Sequence, residues 1–219
     1  MSYIAPINSI DGIVRYLKKN LPPDSRRMMT GILFAHPDIE LSKKEILPLL
    51  PRYHVRSDKW FHLFFPGYDM KNSGSSFPAT PYKCVYKKNL LFSEDYYNKT
   101  RRDLENISKW IYSGGVDLLL VDAIQNHTDH PLDLGHCIDI KLLVEREEGK
   151  LPHLSLFFER IFRYAEKHFP NSQTWNFSDS QIPNLVGSLA REALASCVPD
   201  NIASDVKRIE AYAVRDFRR

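Results

Sequence analysis

Between Ser113 and Glu148 the chain carries acidic residues inside apolar runs: Gly-Gly-Val-Asp-Leu-Leu-Leu-Val-Asp, then, after a His-rich connection, Cys-Ile-Asp-Ile-Lys-Leu-Leu-Val-Glu. A carboxylate in such a setting is costly to bury unless it is paired, hydrogen-bonded or metal-bound. The candidate catalytic residues are Asp117, Asp139 and Lys141. Side chains alternate along a strand, so Asp139 and Lys141 should share one face while Ile140 points to the other. With Asp117 or Asp122 on the neighbouring strand, two carboxylates could hold Mg²⁺, and Lys141 could orient water or stabilise charge developing on a phosphate. The metal-ligand pair in this reading is Asp117 and Asp139.

An acidic residue near one strand followed by Asp139-Ile140-Lys141 inside the next resembles the active-site pattern of the restriction-endonuclease-like nucleases. The resemblance covers about residues 105 to 165. It implies metal-dependent hydrolysis of a phosphodiester in DNA or RNA. Separately, Glu105 could contribute a helical carboxylate to the site. The plainer reading of Asp139 and Lys141 is a solvated ion-pair ladder on a sheet face.

A second set of potential ligands is His127, His130, His136 and Cys137 with Asp129 and Asp133. Zinc accepts all three side-chain types, but the spacing is not that of a structural zinc module, and His or Asp in a turn-rich connection also bonds the backbone. Gly114-Gly115 precedes its strand and lacks the order of a dinucleotide-binding loop, so a turn is the simpler explanation. There is no Gly-x-Ser-x-Gly elbow and no phosphate-loop lysine motif. Large rings at Trp60, Phe61, Phe64, Phe65, Tyr68, Trp110, Tyr112, Trp175 and Phe177 are expected mainly in the core, with a pocket floor or partner surface as the alternative.

These residues must be positioned by a chain of 219 residues, 26% charged and 43% hydrophobic, enough for one sizeable core. A net charge of +3 is too small to demand a nucleic-acid surface, although Arg15, Lys18, Lys19, Arg26 and Arg27 at one end and Arg215, Arg218 and Arg219 at the other are locally basic. Cys84, Cys137 and Cys197 are odd in number and widely spaced, as free thiols in a reducing compartment would be. No apolar run is long enough for a membrane span, and the first twenty residues lack a signal-peptide core. A cytoplasmic location is the expectation.

Periodicity predicts a helix over 10–19 capped by Ser9, a strand over 28–35, and a short helix opened by a Ser42/Glu45 capping box and ending near Pro51. Strands follow at 60–65 and 82–92 with an exposed loop at 69–82 between them. A helix is expected over 95–111 with Leu104, Ile107 and Ile111 on its buried face, then strands at 116–121 and 137–144 and an aromatic-rich helix at 154–168. Further helices are predicted over 183–197 and 201–215, the C-terminal part 183–219 packing on the same core. The sum is a single α/β domain over 1–219: a mixed, α+β-like sheet of about five strands with flanking helices and a helical C-terminal third.

Three functions compete on this reading. The first is a ligand- or protein-recognition domain within a larger assembly, whose partner is a protein or small ligand, without a membrane. The second is a metal-dependent phosphodiesterase or nuclease using the acidic pair and Asp-x-Lys with Mg²⁺, for which nucleic acid is the partner. The third is a structural subunit of an oligomer. Convergence of the two acids with Lys141 would favour the second, and their separation across a covered sheet would remove it.

Overall fold

The computed structural model describes residues 7–23, 26–57, 59–70, 83–86, 90–125, 131–149, 151, 153–178 and 214–218. Helix α1 (Ile10–Asn20) is capped as expected, the Ser9 side chain accepting from the Gly12 amide, and Ile10, Ile13 and Leu17 are buried on one face. Strand β1 (Arg27–Ala35) follows, almost wholly buried.

The segment after β1 departs from the predicted capping box. Ser42 is buried within a wide helical turn, Ser42–Ile46, that closes through the Leu47 amide onto the Ser42 carbonyl. A tight turn over Leu47–Leu49 then leads into α2 (Leu50–Ser57). The cause lies in Pro48 and Pro51, which have no N–H to give to the preceding turn, so the helix passes them by first widening and then tightening. Pro51 therefore sits near the start of α2 instead of ending a helix. Glu45, expected to close the capping box, bonds the Arg146 guanidinium at 3.2 Å.

Five strands form the central sheet in the order β2-β1-β6-β7-β8. Strand β2 (His62–Phe64) runs parallel to β1, while β6 (Val116–Ile124) and β7 (Leu132–Lys141) continue the sheet antiparallel. Strand β8 (Val214–Arg215) pairs with β7, so the last residues of the predicted 201–215 helix are extended. The rest of that helix, and the predicted one at 183–197, lie outside the described residues.

A second sheet is ordered β3-β5-β4, with β3 (Tyr68–Met70), β4 (Lys83–Tyr86) and β5 (Leu90–Phe92). The single strand predicted over 82–92 is thus two antiparallel strands. The predicted exposed loop opens on a strand instead, with Asp69 buried, and residues 71–82 lie outside the described part of the chain.

Helix α3 (Glu94–Ile107) starts at Ser93, whose side chain accepts from the Tyr96 amide. Tyr97, Thr100 and Leu104 form its buried face, whereas Ile107 and Ile111 are exposed, because the helix ends at Ile107 before Ile111 can join that face. The predicted strand over 137–144 also ends early: Lys141 closes β7 and residues 142–144 turn into α4 (Leu142–Glu147). Helix α5 (Leu154–His168) matches its prediction, and Phe157, Phe158, Ile161 and Phe162 are buried along it.

Both faces of the central sheet are covered, which is why β6 reads as a nearly continuous apolar run. On one face Phe34 of β1 stacks on Trp110 at 5.0 Å and meets Tyr97 of α3 at 5.8 Å. On the other, Phe61 approaches β1 and lies 5.9 Å from Phe162 of α5, while Tyr53 of α2 packs on Phe158 at 4.5 Å.

Gly31 makes that second contact possible. A Cβ there would lie 2.8 Å from both the Phe61 ring and the Leu63 side chain. Gly31→Ala is expected to lower stability by about 1–3 kcal/mol, the usual cost of overpacking, read as a shift of the urea midpoint at constant slope. An unchanged midpoint would mean that Phe61 is not wedged against β1.

Candidate functional site

The register of β6 against β7 decides how the acidic residues are placed. Asp117 lies opposite Lys141, and Leu119 lies opposite Asp139. Residues directly opposite in a sheet share a face, as do alternate residues along each strand. Asp117, Asp139 and Lys141 therefore converge on one face, the face that α3 and the Trp110–Ser113 segment cover. Asp117 is fully buried and Asp139 nearly so, while Lys141 is exposed.

Asp122, the other candidate for the acid on the neighbouring strand, belongs elsewhere. It lies opposite Met29 and an odd number of residues from Asp117, hence on the far face. Its Oδ1 accepts from the Thr174 amide at 2.7 Å and the Thr174 hydroxyl at 2.6 Å, and Arg27 stands 3.6 Å from Oδ2. It anchors the helical turn at 174–178 to the sheet.

Donors from the segment between α3 and β6 hold the acid pair. The Ser113 amide donates to Asp117 Oδ2 at 2.8 Å and its hydroxyl donates to Asp117 Oδ1. The Trp110 indole N–H donates to Asp139 Oδ1 at 3.3 Å. The segment is itself pinned: the Tyr112 amide donates to Glu105 Oε1 at 3.2 Å, and the Tyr112 hydroxyl accepts from the Tyr97 hydroxyl at 2.9 Å and donates to the Gly115 carbonyl at 2.6 Å. Glu105 thus holds the segment by its backbone.

Burial pushes the carboxyls of both Asp117 and Asp139 above the usual range. For Asp139 the next cause is repulsion from Asp117, which the Trp110 bond, Lys141 and Arg215 partly offset. The Ser113 bonds, and then Lys141, pull Asp117 back down. Two carboxyls, one raised further by the other, are the electrostatic setting that a divalent cation relieves. Among the described residues no group of three or more His, Cys, Asp or Glu side chains could hold a metal ion. A pair suits Mg²⁺, which is commonly bound through one or two carboxylates and completes its shell with water and substrate phosphate. Each Asp117 oxygen has a second lone pair beyond the one given to Ser113.

Ser113→Ala removes the hydroxyl donor to a buried carboxylate, so a loss of about 1.5–3 kcal/mol is expected near neutral pH. Because that bond lowers the Asp117 pKa, the variant's deficit should shrink as pH falls and Asp117 becomes protonated in both proteins. Urea unfolding at pH 7 and pH 4 would test this. Equal deficits at the two values would show that the hydroxyl does not act through the charge on Asp117.

The second ligand set does not assemble among the residues described. His136 Nδ1 lies 2.9 Å from Asp133 Oδ2, which also accepts from Arg27 at 2.7 Å. Cys137 is buried, its Sγ 3.6 Å from the Asp133 carbonyl oxygen, and burial pushes its thiol far up. His127, Asp129 and His130 lie outside the described residues. The β6–β7 register shifts by three residues between Val121 and Asp122, an irregularity occupied by Leu134, Gly135 and His136.

The ring residues are chiefly core. Phe61, Phe64, Phe65, Tyr68, Trp110 and Phe177 are buried, while Trp175 is exposed. Among the described residues no helix is long and apolar enough to cross a membrane.

Trp110, Ser113 and Arg215 are not among the site residues that the sequence predicts. Ser113, four residues before Asp117, was visible as a local hydroxyl donor, but nothing in the pattern tied Trp110 to Asp139 or returned Arg215 to β7. No known protein family, curated protein or solved structure matches the chain. The fold and site define a mixed α/β protein with a buried acid pair and a lysine on one sheet face.

Proposed function

We propose that the protein is a metal-dependent phosphodiesterase. The observation that carries this reading is the placement of Asp117 directly across from Lys141, with Asp139 next along the same face. Asp117 and Asp139 would hold the divalent cation, whose contribution when bound is to polarise a phosphoryl oxygen. Trp110 and Ser113 fix the two carboxylates in place, and each bond leaves a second lone pair on the oxygen it engages. Lys141 is the exposed cation of the set, placed to meet charge that develops on the phosphate oxygens. The overall step consumes one water: its oxygen forms the new P–O bond, one ester P–O bond breaks, and the departing oxygen leaves as an alcohol.

The test is cleavage of DNA and RNA by the purified protein with Mg²⁺, Mn²⁺ or chelator, comparing the parent with Asp139→Ala and Lys141→Ala. Activity that requires metal and disappears in both folded variants supports the assignment. A folded parent that cleaves neither polymer under any of these conditions overturns it and returns the recognition role to first place.

A further inference from the structure

Helices α2 and α5 lie on the sheet face opposite the acid pair, and a small recess opens between them. Arg52, Tyr53 and Arg56 of α2 line one wall, and Ser155, Glu159 and Phe162 of α5 line the other. Each set recurs at steps of three and four residues, so each is one stripe along its helix. The interior, about 20 Å³, admits a single water-sized group.

The charges at one end of the recess are matched. Arg56 is taken by Glu159 at 3.2 Å and Glu166 at 2.9 Å, and Glu159 also accepts from Arg163 at 3.0 Å. The other end is not matched. Tyr53 is only 3% exposed, yet its hydroxyl is buried without a hydrogen-bond partner, and its ring is held on Phe158 at 4.5 Å. Burial pushes that hydroxyl's pKa up, the charge on Arg52 opposes the rise and that on Glu45 adds to it. The hydroxyl therefore lies toward the Arg52 end. Arg52 is exposed and, among the described residues, makes no ion pair.

The start of α5 adds further donors. His153 stands at the cap position, but its side chain makes no capping bond, and the first turn contains no acidic residue. The first amides of a helix have no partner within it and carry the positive end of its dipole. Ser155 brings a hydroxyl from that same turn to the recess.

A phenolic hydroxyl, a free guanidinium and a helix N-terminus all call for an acceptor that carries negative charge. Its charge is limited by the carboxylates already present. Glu159 is matched by Arg56 and Arg163, and Glu45 by Arg146 at 3.2 Å, which leaves Arg52 as the cation without a counterpart. A monoanion balances it, whereas a dianion would meet Glu159 with an excess of negative charge. The planar fork of a guanidinium suits a carboxylate. Val55, three residues from Arg52, is 70% exposed, and Leu156, three residues from Glu159, is 58% exposed. They flank the recess with apolar surface for the body that bears the carboxylate.

We propose that the recess between α2 and α5 binds the carboxylate of a small monocarboxylate with an apolar body, one oxygen accepting from the Tyr53 hydroxyl and the other meeting Arg52. The site stands apart from the acid pair and does not depend on the phosphodiesterase reading.

The probe is hexanoate, titrated at constant ionic strength into isotope-labelled protein and followed by nuclear magnetic resonance and by Tm, with acetate and phosphate as comparisons. Hexanoate should shift the Ser155 and Leu156 amide resonances saturably and raise Tm. Acetate, without the apolar chain, should bind about tenfold more weakly, the worth of about two buried methylenes. Tyr53→Phe should weaken hexanoate by about tenfold or more, as expected for one lost hydrogen bond to a charged group. It should not lower the Tm of the ligand-free protein, because the hydroxyl it removes has no partner. Arg52→Gln should weaken hexanoate by a similar factor and leave the ligand-free Tm unchanged.

No hexanoate response in the parent, with a lower ligand-free Tm in Tyr53→Phe, would mean that the hydroxyl serves only to bond water, and overturns the proposal. Equal hexanoate affinity in the parent and both variants places binding elsewhere and overturns it as well. Phosphate that binds at Ser155 more tightly than hexanoate, and is lost in Arg52→Gln, overturns the carboxylate assignment.

Discussion

Asp139→Asn is expected to lower metal-dependent phosphodiester cleavage by at least ~10²-fold, the scale of losing one preorganised electrostatic contact at a reacting centre, while making the metal-free protein more stable at neutral pH. The two effects have a common origin. Burial and the neighbouring Asp117 hold the Asp139 carboxyl above its ordinary value, so the unfolded chain ionises it more readily than the folded one. As pH rises from about 4, the ordinary carboxyl range of an unfolded chain, the unfolded state releases its proton first and stability falls. The fall is complete once pH exceeds the folded-state pKa, and it is absent at pH values below the unfolded one. Asparagine keeps the acceptor for the Trp110 indole and has no charge to bury, so that part of the decline should vanish. The measurement is a series of urea unfolding curves from pH 3 to pH 8 in chelator, beside a cleavage assay. A variant that loses both activity and neutral-pH stability would show that Asp139 is a structural carboxylate. One that keeps full activity would remove it from the reaction.

Much of this arrangement is legible in the sequence. The period-two pattern places Asp139 and Lys141 on one face, and the apolar runs at 116–121 and 154–168 identify β6 and α5, because long regular patterns survive whatever the tertiary context adds. The choice between Asp117 and Asp122 was not legible. Both sit in the same run, an odd number of residues apart, and only the register of β6 on β1 and β7 sends Asp122 to Thr174 and Asp117 to Lys141. A shift of one residue would have exchanged them.

Other elements failed for local reasons. Ser42 and Glu45 have the spacing of a capping box, but the helix begins before Ser42, and Glu45 is drawn to Arg146 from a distant helix. Ile111 continues the helical spacing of Leu104 and Ile107 beyond the end of α3, since periodicity does not mark where the chain leaves the helix to place Trp110 over Asp139. The spacing predicts a helix that runs through Arg215. A two-residue strand on the sheet edge carries too short a pattern to be recognised, yet it delivers a cation to the face that holds the acids.

Divalent cation should stabilise the parent and leave the acid-pair variants unaffected, independently of any substrate. A ligand that binds only the folded state at a concentration one hundred times its dissociation constant adds about 2.7 kcal/mol. The gain should come from cancelling the repulsion between Asp117 and Asp139, so it should grow as pH rises through the raised carboxyl range of the pair and fade in acid, where protons compete for the same oxygens. Asp117→Asn and Asp139→Asn should each remove most of the cation-dependent rise in Tm, and Lys141→Ala should keep it or enlarge it, because the lysine is a positive charge across from Asp117. Thermal unfolding with Mg²⁺, Mn²⁺ or Ca²⁺ against chelator distinguishes these outcomes. Equal cation effects in the parent and in both Asn variants would place binding elsewhere on the chain, and Asp117 and Asp139 would then be a buried pair held by Ser113 and Trp110 alone.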